Sequence, residues 1–200
     1  SVTLGVGQFC TNPGLVLVTE SPATNAFLQA LATDIQASVP GTMLNKNICK
    51  AYADGIKVLQ QASNVTLLAQ SSQEAKAERH EARPAAFTVR RSEFLTNKAL
   101  AAEVFGPATL LVLWKDMPQL LEVLQSMEGQ LTATVHAATS DEQHLRPLIH
   151  IVTQKAGRII YGGFPTGVEG CHSMQHGGPF PATSDARSTS VGTAAIYRFV

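Results

Sequence analysis

The sequence predicts an α/β fold, a mostly parallel twisted sheet covered by helices. Three observations predict it. Short apolar runs bounded by turn residues alternate with stretches whose apolar residues recur at helical spacing. Hydrophobic residues make up 44% of the 200 residues and charged residues 15%, which suits a packed core and argues against disorder. No internal repeat or low-complexity linker divides the chain, so one domain, or one large piece of a bigger protein, is expected.

The elements follow in order. Leu15–Thr19 is a continuous apolar run after Pro13-Gly14 and reads as a buried strand. Ser21-Pro22 then offers an N-cap and a first-turn proline. Ala26, Phe27, Ala30, Leu31 and Ile35 carry a helix to about Ser38, and Pro40-Gly41 ends it. A second helix is expected over 45–62, with Ile48, Tyr52, Ile56 and Leu59 on one face. Strands are expected at 65–69 and 86–89, with a solvated loop or weak helix over 71–83 between them. Residues 94–101 read as loop and turn. Ala108–Trp114 is the most apolar strand, Met117–Ser126 a helix, and 131–137 another strand. Ser140-Asp141-Glu142 opens a helix to about Lys155, with Gly157 as its C-cap. A strand over 158–161 leads into a long Gly/Pro-rich stretch, 162–185, and 188–199 reads as a terminal helix.

Composition excludes several function classes. There are 15 basic and 15 acidic residues, with no basic patch to neutralise phosphates, so no nucleic-acid partner is expected. The apolar runs are too short to span a bilayer, so no membrane partner is expected. Cys10, Cys49 and Cys171 are irregularly spaced, make no disulfide framework and suggest a reducing, cytoplasmic compartment. The chain starts at Ser1, shows no signal peptide and enters a functional-looking loop at once, which suggests a fragment.

Cys10 heads the list of chemistry-bearing residues. It lies in Gly7-Gln8-Phe9-Cys10-Thr11-Asn12-Pro13-Gly14, where small residues let a substrate approach and backbone amides could hold an oxyanion. A thiol there is a candidate nucleophile; the alternative is a buried, inert cysteine. Glu103-Val104-Phe105-Gly106-Pro107 sets an acid two residues from an aromatic ring before a buried strand. The acid could accept sugar hydroxyls while the ring lines a pocket, or the pair could be a solvated Glu and a core Phe. The long loop is of a length more often functional than idle. Functional loops of parallel sheets gather at the carboxyl ends of strands, so the three loops are expected to converge there. Cys171, His172 and His176 suggest a metal cluster at first. Their glycine-rich flanks argue against a helix and no carboxylate accompanies them, so no metal is expected. No phosphate-cradling glycine motif is present.

Taken together, Gly7-Gln8-Phe9-Cys10 and Glu103-Val104-Phe105-Gly106-Pro107 resemble the catalytic cysteine loop and the Glu-x-Phe-Gly-Pro motif of the aldehyde dehydrogenases. The run from Gly157-Arg158 through Pro165-Thr166-Gly167-Val168-Glu169 to His176-Gly177-Gly178-Pro179 resembles the branch acting on 2,5-dioxopentanoate, close to NADP-dependent fatty aldehyde dehydrogenases. The resemblance covers essentially the whole chain.

The resemblance implies a catalytic domain over residues 1–200, without the cofactor-binding domain. It implies that Cys10 attacks an aldehyde to give a thiohemiacetal, that NAD or NADP oxidises this to a thioester, and that water releases the acid. Glu103 would bind the nicotinamide ribose and Phe105 would pack near the nicotinamide. Phe9, Phe164, Pro165, Thr166, Gly167 and Val168 would contact the small-molecule aldehyde. A homodimeric or homotetrameric parent is implied, with the general base, the oxyanion Asn and the choice between NAD and NADP outside these residues. The isolated chain is expected to turn over poorly. A coenzyme A-acylating or acyl-phosphate-reducing thioester enzyme, or a non-catalytic binding module, remains the alternative.

Overall fold

The computed structural model describes residues 1–165, 167, 168 and 170–200. The chain divides into two compact units, Ser1–Leu120 and Leu121–Val200.

The first unit is built on a four-stranded sheet. Its strands are β1 (Leu15–Thr19), β3 (Thr66–Gln70), β5 (Ala85–Arg90) and β6 (Ala108–Trp114), in the order β1-β6-β5-β3. β6 runs parallel to both β1 and β5, whereas β3 is antiparallel to β5. The register pairs Leu15 with Leu110 and Ala85 with Ala108. β6 is central, and five consecutive residues from Ala108 to Val112 are buried, which is why its sequence is a continuous apolar run rather than an alternating one.

α1 (Thr24–Ala37) turns Leu28, Leu31, Ala32 and Ile35 toward Ala69, Ala86 and Leu111 of the sheet. Of the apolar residues expected on its buried face, Leu31 and Ile35 lie there, whereas Ala26, Phe27 and Ala30 are exposed. Leu28 and Ala32 take their place, because the face is set by where the sheet meets the helix. The helix starts later than Ser21-Pro22 suggests. Thr24 Oγ1 donates to Thr19 O at 2.6 Å and accepts from Ser21 N at 2.8 Å, so the hydroxyl is spent on a turn before the helix begins. α2 (Lys46–Gln61) is capped by Asn45, whose side chain accepts from Ile48 N at 3.0 Å. Tyr52, Ile56 and Leu59 form its buried face.

Smaller elements differ from expectation. Two-residue strands β2 (Gly41–Thr42) and β4 (Glu81–Ala82) pair antiparallel, too short for sequence periodicity to register. Residues 94–101, read as loop, lie partly in the short helix α3 (Arg91–Thr96) and a 3₁₀ turn at Lys98–Ala101, with Phe94 and Leu100 buried. α4 (Met117–Ser126) follows β6.

In the second unit, β7 (Gln130–Val135) and β8 (Ala156–Tyr161) pair in parallel, joined through a 3₁₀ turn at Thr139–His144 and α5 (Leu145–Lys155). Gly157 is not a C-cap. It is the second residue of β8, and a Cβ there would overlap Gly177 O, so glycine serves the close approach of two backbones. The expected terminal helix is only a 3₁₀ segment, Thr193–Arg198. The stretch 162–185 has no helix or strand among its described residues. No helix of the described residues is long and apolar enough to cross a membrane.

Candidate functional site

The Cys10 loop begins with three successive residues in the left-handed region: Gly5 (φ 55°), Val6 (59°) and Gly7 (65°). Gly5 and Gly7 adopt it readily, whereas a β-branched valine does so only under strain. The strained turn is held from outside. Gln8 Oε1 accepts from Leu44 N at 2.8 Å, and Gln8 Nε2 donates to Gly5 O at 3.3 Å. Phe9 folds over Gly5, whose added Cβ would lie 2.5 Å from the ring.

Cys10 then sits exposed on a turn closed by Asn12 N donating to Phe9 O at 3.0 Å. Its thiol is not in a disulfide. Pro13 O accepts from Thr109 Oγ1 at 2.9 Å and Gly14 O from Leu110 N at 2.9 Å, which joins the loop's exit to β6.

The loop 103–107 packs directly against this turn. Asn12 Nδ2 donates to Gly106 O at 2.9 Å. A Cβ on Gly7 would fall on the Gly106 carbonyl and 2.6 Å from Pro107 N, so only glycine permits the contact. Behind it stands Tyr52 of α2. Gly106 (φ 148°) lies so close that an added Cβ would be 2.9 Å from Cε2 of the ring. The Tyr52 hydroxyl donates to Arg83 O at 2.7 Å, with Pro107 O at 3.4 Å. Burial pushes the Tyr52 phenol well above its usual value, with a smaller contribution from Cys49. Val104 fits against Gly55 of α2. Glu103 is left exposed and Phe105 half-buried.

Sequence reasoning singled out Cys10, Glu103 and Phe105, and the structure brings their two loops together. It corrects the edge: both loops precede their strands, so they meet at the amino ends of β1 and β6, not the carboxyl ends. The rule that places sites at carboxyl ends holds where loops follow strands into crossover helices; here the loops lead in. The reasoning missed Asn12, Gly7 and Tyr52 as the residues that fasten the loops. A buried tyrosine on the apolar face of α2 was the one signal available, because a buried hydroxyl needs a carbonyl partner.

The remaining candidates belong to the second unit. Phe164 is 64% exposed, its ring 5.3 Å from that of His136 and tilted by 46°. Pro165 is buried, Val168 half-buried and Gly167 exposed, with Gly167 O accepting from Arg158 Nη1 at 3.1 Å. Thr166 lies outside the described residues. His176 is buried; its N–H donates to Thr189 Oγ1 at 2.8 Å, and burial, aided by the Arg158 charge, lowers its pKa. His172 Nδ1 instead meets Thr193 Oγ1 at 2.8 Å. Among the described residues no group of three His, Cys, Asp or Glu could hold a metal ion. A groove of about 520 Å³, lined by Lys155 and Phe180 among others, holds none of the sequence-predicted residues.

No protein-family model matches the sequence. Over its whole length the chain is 44% identical to alpha-ketoglutaric semialdehyde dehydrogenase of Acinetobacter baylyi. It spans 38% of the length of the curated relatives it matches. Its fold is similar to that of a delta-pyrroline-5-carboxylate dehydrogenase from Mycobacterium tuberculosis, with TM-score 0.75 and 18% identity, covering 96% of this chain and 36% of that one. An aldehyde dehydrogenase from Bacillus cereus, solved as its NAD+ complex, gives a TM-score of 0.71 at 16% identity, covering 88% of this chain and 35% of that one. Over all of its residues the chain is similar in sequence to part of the alpha-ketoglutaric semialdehyde dehydrogenases, and its fold is that of part of the aldehyde dehydrogenase structures.

Proposed function

We propose that this chain is the cysteine-bearing part of an NAD(P)+-dependent aldehyde dehydrogenase. Its substrate is 2,5-dioxopentanoate, oxidised to 2-oxoglutarate. The supporting observation is the seating of the Cys10 turn on the 103–107 loop, in a chain 44% identical end to end to an alpha-ketoglutaric semialdehyde dehydrogenase.

Cys10, exposed on a pinned turn, adds as thiolate to the aldehyde carbon and forms a thiohemiacetal. The Cys10 amide helps to hold the oxyanion. Glu103 and Phe105 fit the ribose and nicotinamide end of a dinucleotide: one offers an exposed carboxylate for hydroxyls, the other a half-buried ring on the same short loop. When bound, the dinucleotide supplies the two-electron oxidant. The sequence has no phosphate-cradling glycine motif, so only that end is held by these residues. The oxidised adduct is a thioester on Cys10; water adds to its carbonyl, the carboxylic acid leaves and the thiol is restored. Phe9, next to Cys10 on the same turn, borders the approach of the aldehyde.

The test is made on the full-length protein with 2,5-dioxopentanoate and either dinucleotide, following NAD(P)H fluorescence and the mass of the Cys10 peptide. The expected result is NAD(P)H formation, an acyl adduct on Cys10 and loss of both in Cys10→Ser. Activity that survives Cys10→Ser, or no NAD(P)H from the unaltered protein, overturns the proposal. Adding coenzyme A separates release of the acid from release of an acyl-CoA.

A further inference from the structure

We propose that Asn12 is a positioning residue, which yokes the Cys10 turn to the Glu103–Phe105 segment through a single amide hydrogen bond. The inference rests on the nucleophile and cofactor roles proposed above. Asn12 lies two residues after Cys10, and its side chain reaches Gly106, the residue after Phe105. Both ends of the link are fixed. Gly106 O also accepts from Ala108 N at 2.8 Å where the chain enters β6. The Asn12 backbone donates to Phe9 O at 3.0 Å and accepts from Gly14 N at 2.8 Å. The 2.9 Å bond between Nδ2 and Gly106 O therefore joins two braced segments, one carrying the thiol and the other the acid and the ring.

The chemistry of the contact allows only a donor. Two facing oxygens would repel, so the amide must turn its NH2 to the Gly106 carbonyl. This leaves Oδ1 buried and without a hydrogen bond among the described residues. The other two ties, Thr109 Oγ1 to Pro13 O and Leu110 N to Gly14 O, act where both strands begin and do not brace the turn beside Cys10. An apolar side chain at position 12 would free the turn to shift against Phe105. A carboxylate would push it away, and a neutral carboxylic acid would restore the bond through its O–H.

The test compares Asn12→Ala and Asn12→Asp with the unaltered full-length protein. It measures kcat, KM for dinucleotide and aldehyde, and the rate of Cys10 modification by an aromatic disulfide that reacts in both acid and neutral solution. Misplacing a reacting atom by about 1 Å can cost about 100-fold, so Asn12→Ala should lower kcat by about 10- to 100-fold. Its KM values should move by less than about threefold, because binding groups are untouched. Asn12→Asp should match Asn12→Ala at neutral pH and, relative to the unaltered protein at each pH, recover kcat and Cys10 reactivity as the new acid protonates. Unchanged rates in Asn12→Ala overturn the inference. So does an equal loss in both variants with no recovery in acid, which marks general loosening. If no form makes NAD(P)H, the thiol arm decides alone: acid recovery in Asn12→Asp supports the yoke and its absence refutes it.

Discussion

Gly7→Ala tests the seam between the two site loops, and Gly5→Ala supplies its control. Both glycines have left-handed φ, 65° and 55°, so alanine at either carries about 1–2 kcal/mol of backbone strain. The surroundings differ. At position 5 the new methyl meets the ring of Phe9, which is 40% exposed and can swing outward. At position 7 it meets the Gly106 carbonyl and Pro107 N, backbone atoms that cannot turn aside. Ordinary contact then requires the loops to separate, and overpacking of this kind costs about 1–3 kcal/mol. Gly7→Ala should therefore cost roughly 2–5 kcal/mol and Gly5→Ala roughly 1–2 kcal/mol. Urea unfolding followed by circular dichroism measures both. Gly14→Ala, whose methyl would meet nothing within 4 Å, should stay within about 0.5 kcal/mol of the unaltered chain. If Gly7→Ala costs no more than Gly5→Ala, the loops are not in the contact described.

Tyr52→Phe leaves the Arg83 carbonyl without its 2.7 Å donor and should cost about 1–2 kcal/mol in urea unfolding. Burial raises the folded-state pKa of Tyr52, so its contribution is whole below about 10, the unfolded value, and falls away as pH rises beyond it. An equally steep alkaline loss of stability in Tyr52→Phe would contradict this. For His176 the sign is opposite: its lowered pKa gives stability that is present above about 6.5 and lost as pH falls. Arg158→Met removes the neighbouring positive charge and should raise the His176 pKa in an NMR titration; an unmoved value would show that burial alone sets it.

Much of the fold was legible because burial imposes period. α1, α2 and β6 are apolar at the spacing their packing needs, so their sequences announce them. What escaped depends on tertiary contact. Ser21-Pro22 looks like a helix start, yet Thr24 back-bonds to Thr19 O and moves the start inward. Gly157 looks like a C-cap, yet it is a strand residue kept small by Gly177. The site divides the same way. Cys10, Glu103 and Phe105 stand out by residue type and neighbours. Asn12 and Gly7 do not, because their partner Gly106 lies 94 residues from Asn12 and is identified only by folding.

The left-handed Val6 carries one more consequence. Its isopropyl group fills the space a side chain would need at Gly41, where an added Cβ would lie 3.3 Å from Cγ1 and closer still to Cγ2. Backbone strain favours glycine at position 6, while the filled space forbids anything larger at position 41. The two sites are therefore tied in sequence drift: a larger residue at 41 becomes acceptable only after position 6 has shrunk. Substitutions at this pair are epistatic, and the order in which they arise is constrained by the turn that leads to Cys10.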